Sequence, residues 1–87
     1  MNYAIDRVYH LNQCISLATK IADEHGFTLH EMTSDRRAKA LVIARREYFN
    51  EAFKKTKAST VIIGRAIDKD HTTVMHALKR QKELQGS

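Results

Sequence analysis

The segment IGRAIDKDHTTVMH, residues 63–76, decides the predicted fold of this 87-residue chain. The residues before its turn have the pattern of a short helix that begins after Ser59, a strong N-cap residue. Asp68-Lys69 then supplies a polar turn, and Asp70 can cap a second helix. Two short helices joined by a tight turn form a helix-turn-helix motif.

The second helix opens with three side chains that can hydrogen-bond the edges of bases. These are His71, Thr72 and Thr73. An imidazole can donate or accept, a threonine hydroxyl can do both, and the threonine methyl suits the methyl of thymine. Helix-turn-helix proteins present such side chains to the major groove of DNA. The alternative is a capped surface helix with incidental polar residues, and the chemistry alone favours neither reading.

Length and composition indicate one small soluble domain. A chain of 87 residues with 43% hydrophobic content suits a single globular domain with a modest core. The longest apolar run, residues 40–44, is far too short to cross a bilayer, and the first residues show no secretory signal. The lone Cys14 cannot form an internal disulfide, so we expect it to pack as a small apolar side chain in a cytoplasmic protein.

Charge is distributed unevenly along the chain. Residues 1–35 hold two bases and five acids, whereas residues 36–65 hold nine bases and two acids. A basic centre of this kind predicts one face that binds a polyanion. The alternative is an ordinary solvated helix face rich in lysine and arginine.

Apolar residues recur at three- and four-residue steps through most of the chain, which predicts an all-α fold. We expect helices over residues 3–25, 28–33, 38–57, 60–67 and 71–84. Asn12 is a good N-cap and could divide the first helix, while Arg36-Arg37 fits either a basic loop or the first turn of the third helix. The residues expected to face the core are Ile5, Val8, Leu11, Ile15, Ala18, Ile21, Ala22, Phe27, Leu29, Met32, Leu41, Ala44, Tyr48, Phe49, Ala52, Phe53, Val61, Ile62, Ile67, Val74, Ala77, Leu78 and Leu84.

The sequence supports no catalytic or metal site. His71 and His76 are five residues apart, so they lie on different faces of a helix, unlike the pair of a helical zinc site. A single cysteine gives no zinc finger, and three separate glycines give no phosphate-binding loop. We therefore expect neither an enzyme nor a bound metal or small-molecule cofactor.

Ile63-Gly64-Arg65-Ala66 followed by Asp70–Ala77 is similar to the signature of the C-terminal DNA-binding domain of the bacterial replication initiator DnaA. The similarity extends back through Ala44-Arg45, Arg37 and Ile21-Ala22, and it covers roughly residues 14–84. It implies an all-α helix-turn-helix domain with a Trp-repressor-like architecture. The expected organisation is a single domain over residues 1–87, with an N-terminal extension at 1–11 and the helix-turn-helix at 59–84.

The resemblance also implies roles for individual side chains. His71, Thr72 and Thr73 would read bases with Asp70 at the same helix tip, Arg37 would reach an adjacent minor groove, and Arg45 and His76 would hold phosphates. The full set expected to contact bases is Asp70, His71, Thr72, Thr73 and Arg37. The full set expected to contact phosphates is Arg45, Arg46, Lys69, His76, Ser59, Thr60, Arg36 and Lys39.

The family's usual turn, Phe-Gly-Gly-Arg-Asp, is replaced here by the shorter and glycine-free Ile67-Asp68-Lys69-Asp70. The expected function is sequence-specific binding of double-stranded DNA at the nucleoid, in transcription or replication, with a phage or prophage regulator as one setting. One alternative is a non-specific DNA-binding accessory factor. Another is an adaptor whose N-terminal helix binds a protein partner or a second copy of the chain.

Overall fold

The computed structural model describes residues 3–86, with side chains from residue 7 to residue 84. This part of the chain contains five α-helices and no strand, which confirms the predicted all-α class. None of these helices is long and apolar enough to span a membrane. The helices are α1 (Tyr3–Glu24), α2 (Leu29–Thr33), α3 (Lys39–Lys55), α4 (Thr60–Arg65) and α5 (His71–Gly86).

Helix α1 is continuous, which confirms the helix predicted over residues 3–25 and excludes the alternative of a division at Asn12. The helix ends at Glu24, and Gly26 in the following turn has a φ angle of 79°. The next amide, that of Phe27, donates back to the carbonyl of Ala22 at 2.7 Å. Glycine takes this left-handed conformation at little cost, and it is a common way to end a helix. The chain therefore reverses into α2.

Helix α2 is short and is defined by its capping box. The Thr28 hydroxyl accepts from the Glu31 amide at 3.1 Å, and the Thr28 amide donates to the Glu31 carboxylate at 3.0 Å. This reciprocal arrangement satisfies two amides at the helix start, and the spacing Thr-x-x-Glu is typical of it. Met32 is fully buried and fixes α2 to the core.

Helix α3 is the central helix, because it contacts α1, α2, α4 and α5. Its buried stripe includes Leu41, Ala44, Tyr48 and Ala52, all of them fully buried. The hydroxyl of Tyr48 donates to the carbonyl of Ile63 at 2.7 Å, which joins α3 to the first helix of the helix-turn-helix. Cys14 packs in the same core as predicted.

Four residues predicted to face the core are exposed instead: Val8, Phe53, Val61 and Leu84, at 57, 56, 44 and 57%. Phe53 lies next to the buried Ala52 but past the edge of the α3 stripe. Val61 faces outward because Ile63 and Gly64 occupy the inner face of the short α4. Val8 and Leu84 lie near the outer ends of α1 and α5. The side chain of Ile5, also predicted to face the core, lies outside those that the structure describes.

Candidate nucleic-acid interface

Helices α4 and α5 form the predicted helix-turn-helix. Ser59 caps α4, since its hydroxyl accepts from the Ile62 amide at 3.3 Å. The turn then closes tightly, with the Lys69 amide donating to the Gly64 carbonyl at 2.8 Å. Asp68 takes a left-handed conformation, with a φ angle of 57°. The turn thus reverses direction without a glycine.

Gly64 allows the turn to approach α4 closely. A Cβ atom at this position would lie 2.5 Å from the carbonyl oxygen of Lys69 and 3.1 Å from a methyl of Val74. Because one of these neighbours is backbone, it cannot move aside without shifting the turn. In the sequence, Gly64 stands out only as part of the family signature, because its steric role depends on the position of the turn in the fold.

The tip of α5 exposes the four residues predicted to contact bases in the major groove, Asp70, His71, Thr72 and Thr73, while Val74 behind them is fully buried. A carboxylate oxygen of Asp70 lies 2.8 Å from Nδ1 of His71. Desolvation opposes the charge on Asp70, but hydrogen bonds from Thr72 and the proximity of His71 lower the pKa of its carboxyl below the ordinary value. Asp70 therefore stays ionised and contacts both the His71 ring and the Thr72 hydroxyl, while Thr72 and Thr73 remain exposed residues.

A groove of about 740 Å³ separates the start of α5 from the loop that joins α2 to α3. The loop, residues 34–38, is irregular, so Arg36-Arg37 forms a basic loop rather than a helical turn. The groove brings the predicted Arg37, Arg46, His76 and Thr73 together across the sequence. Its walls are formed by Asp35, Arg37, Val42, Arg45, Arg46, Phe49, Lys69, Thr73, His76, Ala77 and Arg80.

Arg80 belongs to this groove but is absent from the residues predicted to contact DNA. It lies four residues after His76 and seven after Thr73, which is the spacing of one helical face. That spacing was available in the sequence. The signature of the helix tip directed attention to the first turn of α5, and the continuation of the same face was overlooked.

Arg45 is nearly buried, at 8% exposure, although it was predicted to hold a phosphate. Its guanidinium donates to four backbone carbonyls, those of Met32 at 2.9 Å, Arg36 and Ser34 at 2.6 Å each, and Glu31 at 3.2 Å. Burial lowers the pKa of Arg45, and the charge of Asp35 opposes this effect. The side chain thus holds the end of α2 and the following loop, and its contact with phosphate remains a prediction.

Lys69 also donates to this part of the backbone. Its Nζ lies 3.2 Å from the carbonyl oxygen of Thr33 and 2.7 Å from that of Ser34. Desolvation lowers the pKa of Lys69, and the nearby Arg45 lowers it further. The ammonium is half-buried against protein rather than free at the surface.

The remaining predicted phosphate contacts lie outside the groove. Ser59 and Thr60 begin α4, and Lys39 begins α3 at an exposed position. Arg36 lies in the basic loop and pairs with Glu31 at 3.4 Å. Ser59 is exposed and Thr60 is half-buried. Both residues belong to the start of the helix-turn-helix, but neither lines the groove.

The motif, the exposed polar helix tip and the basic groove beside it define a helix-turn-helix domain of the nucleic-acid-binding class. Residues 16–80 match the family described as the bacterial dnaA protein helix-turn-helix. The chain belongs to this family, as its resemblance predicted. Membership supports DNA binding, and the family's domain is not a catalytic fold.

Two relatives share this region. The chromosomal replication initiator protein DnaA of Rickettsia bellii (strain OSU 85-389) is 38% identical over 66 residues, and that of Gluconobacter oxydans (strain 621H) is 39% identical over 66 residues. Each alignment covers 75% of this chain but only 14% of the relative. No solved structure gave a significant match.

Proposed function

We propose that this protein binds double-stranded DNA in a sequence-specific manner, with the tip of α5 in the major groove. The observation that carries the proposal is the exposed sequence Asp70–Thr73 at a helix start directly beside a groove lined with basic side chains. Helix-turn-helix proteins use the N-terminal residues of their second helix to contact base edges. A regulator of transcription or replication at the nucleoid, phage-borne or chromosomal, would use such binding.

Thr72 and Thr73 are the base readers in this proposal, together with His71. The contact between Asp70 and Nδ1 of His71 leaves Nε2 as the free ring nitrogen for DNA. Arg37, on the opposite wall of the groove, would enter the adjacent minor groove, where arginine is favoured by the negative potential. Phosphates would be held by the exposed or half-exposed side chains Arg36, Lys39, Arg46, Ser59, Thr60, His76 and Arg80.

Fluorescence anisotropy with three labelled duplexes tests specificity: a DnaA-box duplex, a scrambled duplex, and one selected from a random pool. We expect one duplex to bind about 10³-fold more tightly than the scrambled one. Equal affinity for all three, with a steep dependence on salt, would instead support a non-specific accessory factor. The absence of binding at low salt would reject both DNA-binding functions.

Thr72→Ala tests base reading directly. This variant should lose about 1–3 kcal/mol of binding free energy on the preferred duplex and almost none on the scrambled one. Thr19→Ala is the matched control, because Thr19 is an exposed helical threonine on α1 whose hydroxyl donates to the Ile15 carbonyl at 2.8 Å. An unchanged preference in Thr72→Ala would remove Thr72 from the base-reading set.

A second candidate function is protein binding through α1, with a second copy or another protein as the partner. It is favoured by the exposure of Val8 at 57% and of Tyr9 at 61% on neighbouring positions of this helix. Light scattering over a range of protein concentrations tests self-association. A mass that rises with concentration in the wild type, but not in a variant carrying Val8→Ser and Tyr9→Ser, would support it.

A further inference from the structure

Lys69 connects two parts of the chain that are far apart in sequence. Its backbone amide donates to Gly64 in α4, and its ammonium donates to the carbonyls of Thr33 and Ser34, at 3.2 and 2.7 Å. The residue immediately precedes Asp70 and the base-reading tip of α5. One residue therefore contacts the first helix of the motif, the turn and the end of α2.

Arg45 donates to the same stretch of backbone. Its guanidinium and the Lys69 ammonium share one acceptor, the carbonyl of Ser34, at 2.6 and 2.7 Å. These carbonyls close α2, where helix carbonyls lack amide partners and carry partial negative charge. The two cations can share this carbonyl because each also donates to other backbone carbonyls and because the negative charge of Asp35 lies nearby.

We propose that Lys69 is a positioning residue that fixes the loop at residues 34–38, and with it Arg37, relative to the start of α5. This role rests on the proposed function, since it presents the minor-groove and major-groove side chains in one fixed arrangement. Arg37 follows Ser34 by three residues and shares the groove with Thr73. The contact thus assigns Lys69 to the protein backbone rather than to a phosphate.

Hydrogen exchange of the free protein tests the contact without DNA. Lys69→Met keeps the aliphatic part of the side chain but removes the ammonium. Because a hydrogen bond from a charged group stabilises the segment that accepts it, the amides of Ser34 and Arg36, which donate to the Glu31 carbonyl and to the Ser34 hydroxyl, should exchange about tenfold faster or more. Lys82→Met, at an exposed position on α5, removes the same charge and should leave the loop unchanged. Buried α3 amides such as that of Tyr48 report global stability in the same spectra.

Wild-type exchange rates in the loop of Lys69→Met would overturn the proposal, whatever the protein does with DNA. A double-mutant cycle then uses the preferred duplex. If Lys69 positions Arg37, the two substitutions should not act independently. The factor by which the double variant Lys69→Met/Arg37→Ala loses affinity should then be clearly smaller than the product of the factors for the two single variants.

Two results together would overturn the proposal and mark Lys69 as a phosphate contact. The affinity losses of the two single variants would multiply in the double variant, and the single variant Lys69→Met would reduce the slope of log affinity against log salt by about 0.9. Failure of the wild type to bind any duplex would reject the proposed function instead. The exchange measurement still decides the role of Lys69 in that case.

Discussion

At the scale of single residues, Gly64 decides how closely the turn can pack on α4. Helix propensity alone favours Gly64→Ala by about 1 kcal/mol. The added methyl would however lie 2.5 Å from the Lys69 carbonyl oxygen. We expect the substitution to lower the free energy of unfolding by about 1–3 kcal/mol in urea denaturation, since overpacking must shift backbone. A gain in stability would contradict the close approach.

Asp68 explains how the turn works without the glycines usual in the family. Its φ angle of 57° lies in the left-handed region, which most side chains avoid and which aspartate and asparagine enter with less cost. The turn is one residue shorter than the usual turn of the family, so the backbone here must follow a different course. The structure resolves the difference: the left-handed Asp68 and the hydrogen bond from Lys69 to Gly64 complete the reversal.

At the scale of elements, Arg45 ties α3 to α2 and its loop. Arg45→Ala removes the donors to four carbonyls at a nearly buried site, so we expect it to lower the free energy of unfolding by about 2–4 kcal/mol in the absence of DNA. Arg46→Ala, at the next position but half-buried in the groove, should cost about 0.5 kcal/mol or less. Wild-type stability combined with weaker binding of every duplex would instead support the predicted phosphate role of Arg45.

Tyr48 ties α3 to α4, and its burial predicts a loss of stability at high pH. Burial, aided by Cys14, raises the pKa of Tyr48 well above its ordinary value. Since the folded protein favours the neutral phenol, this contribution to stability is complete below about pH 10, the pKa of an unfolded tyrosine, and is lost as the pH rises above it. Burial also raises the pKa of Cys14, which acts in the same direction.

Urea denaturation at pH 8 and pH 11 measures this effect. Tyr48→Phe loses the hydrogen bond to the Ile63 carbonyl and should cost about 1 kcal/mol at pH 8, but its stability should fall less than that of the wild type between the two pH values. Tyr9→Phe is the control, because Tyr9 is 61% exposed. Parallel falls in the wild type and in Tyr48→Phe would contradict the argument.

The sequence predicted most of the elements because their signals are local. The capping box at Thr28, the cap at Ser59 and the three- and four-residue spacing in α3 each depend on neighbouring residues. It missed the burial of Arg45, because an arginine on a basic helix looks like a surface residue until α2 supplies carbonyls to meet it. It also misassigned Val61, since a helix of six residues shows less than two turns of its pattern. Long-range contacts such as that of Lys69 with Ser34 have no local signature.

At the scale of the whole molecule, two grooves of the described residues differ in their balance of charge. The groove beside α5 is lined by Arg37, Arg46 and Arg80 with Asp35 as its single acid. The groove between α1 and α3 is instead mixed in charge, because Glu24, Glu47 and Glu51 lie beside Lys20 and Lys55. Glu51 pairs with Lys55 at 2.7 Å. A polyanion is therefore attracted to the face that carries the exposed tip of α5, and this favours encounters at that face.

Arg80 provides the sharpest test of that surface, because the neighbouring Lys79 is an internal control. Both are exposed on α5 and carry the same charge, but Arg80 lines the groove and Lys79 does not. If Arg80 holds a phosphate, Arg80→Ala should weaken every duplex alike and reduce the slope of log affinity against log salt by about 0.9. Lys79→Ala loses the same charge at a greater distance from the groove, so its slope should change much less. Equal changes in the two variants would mean that α5 acts only through its overall charge, and that the groove is not where the DNA backbone lies.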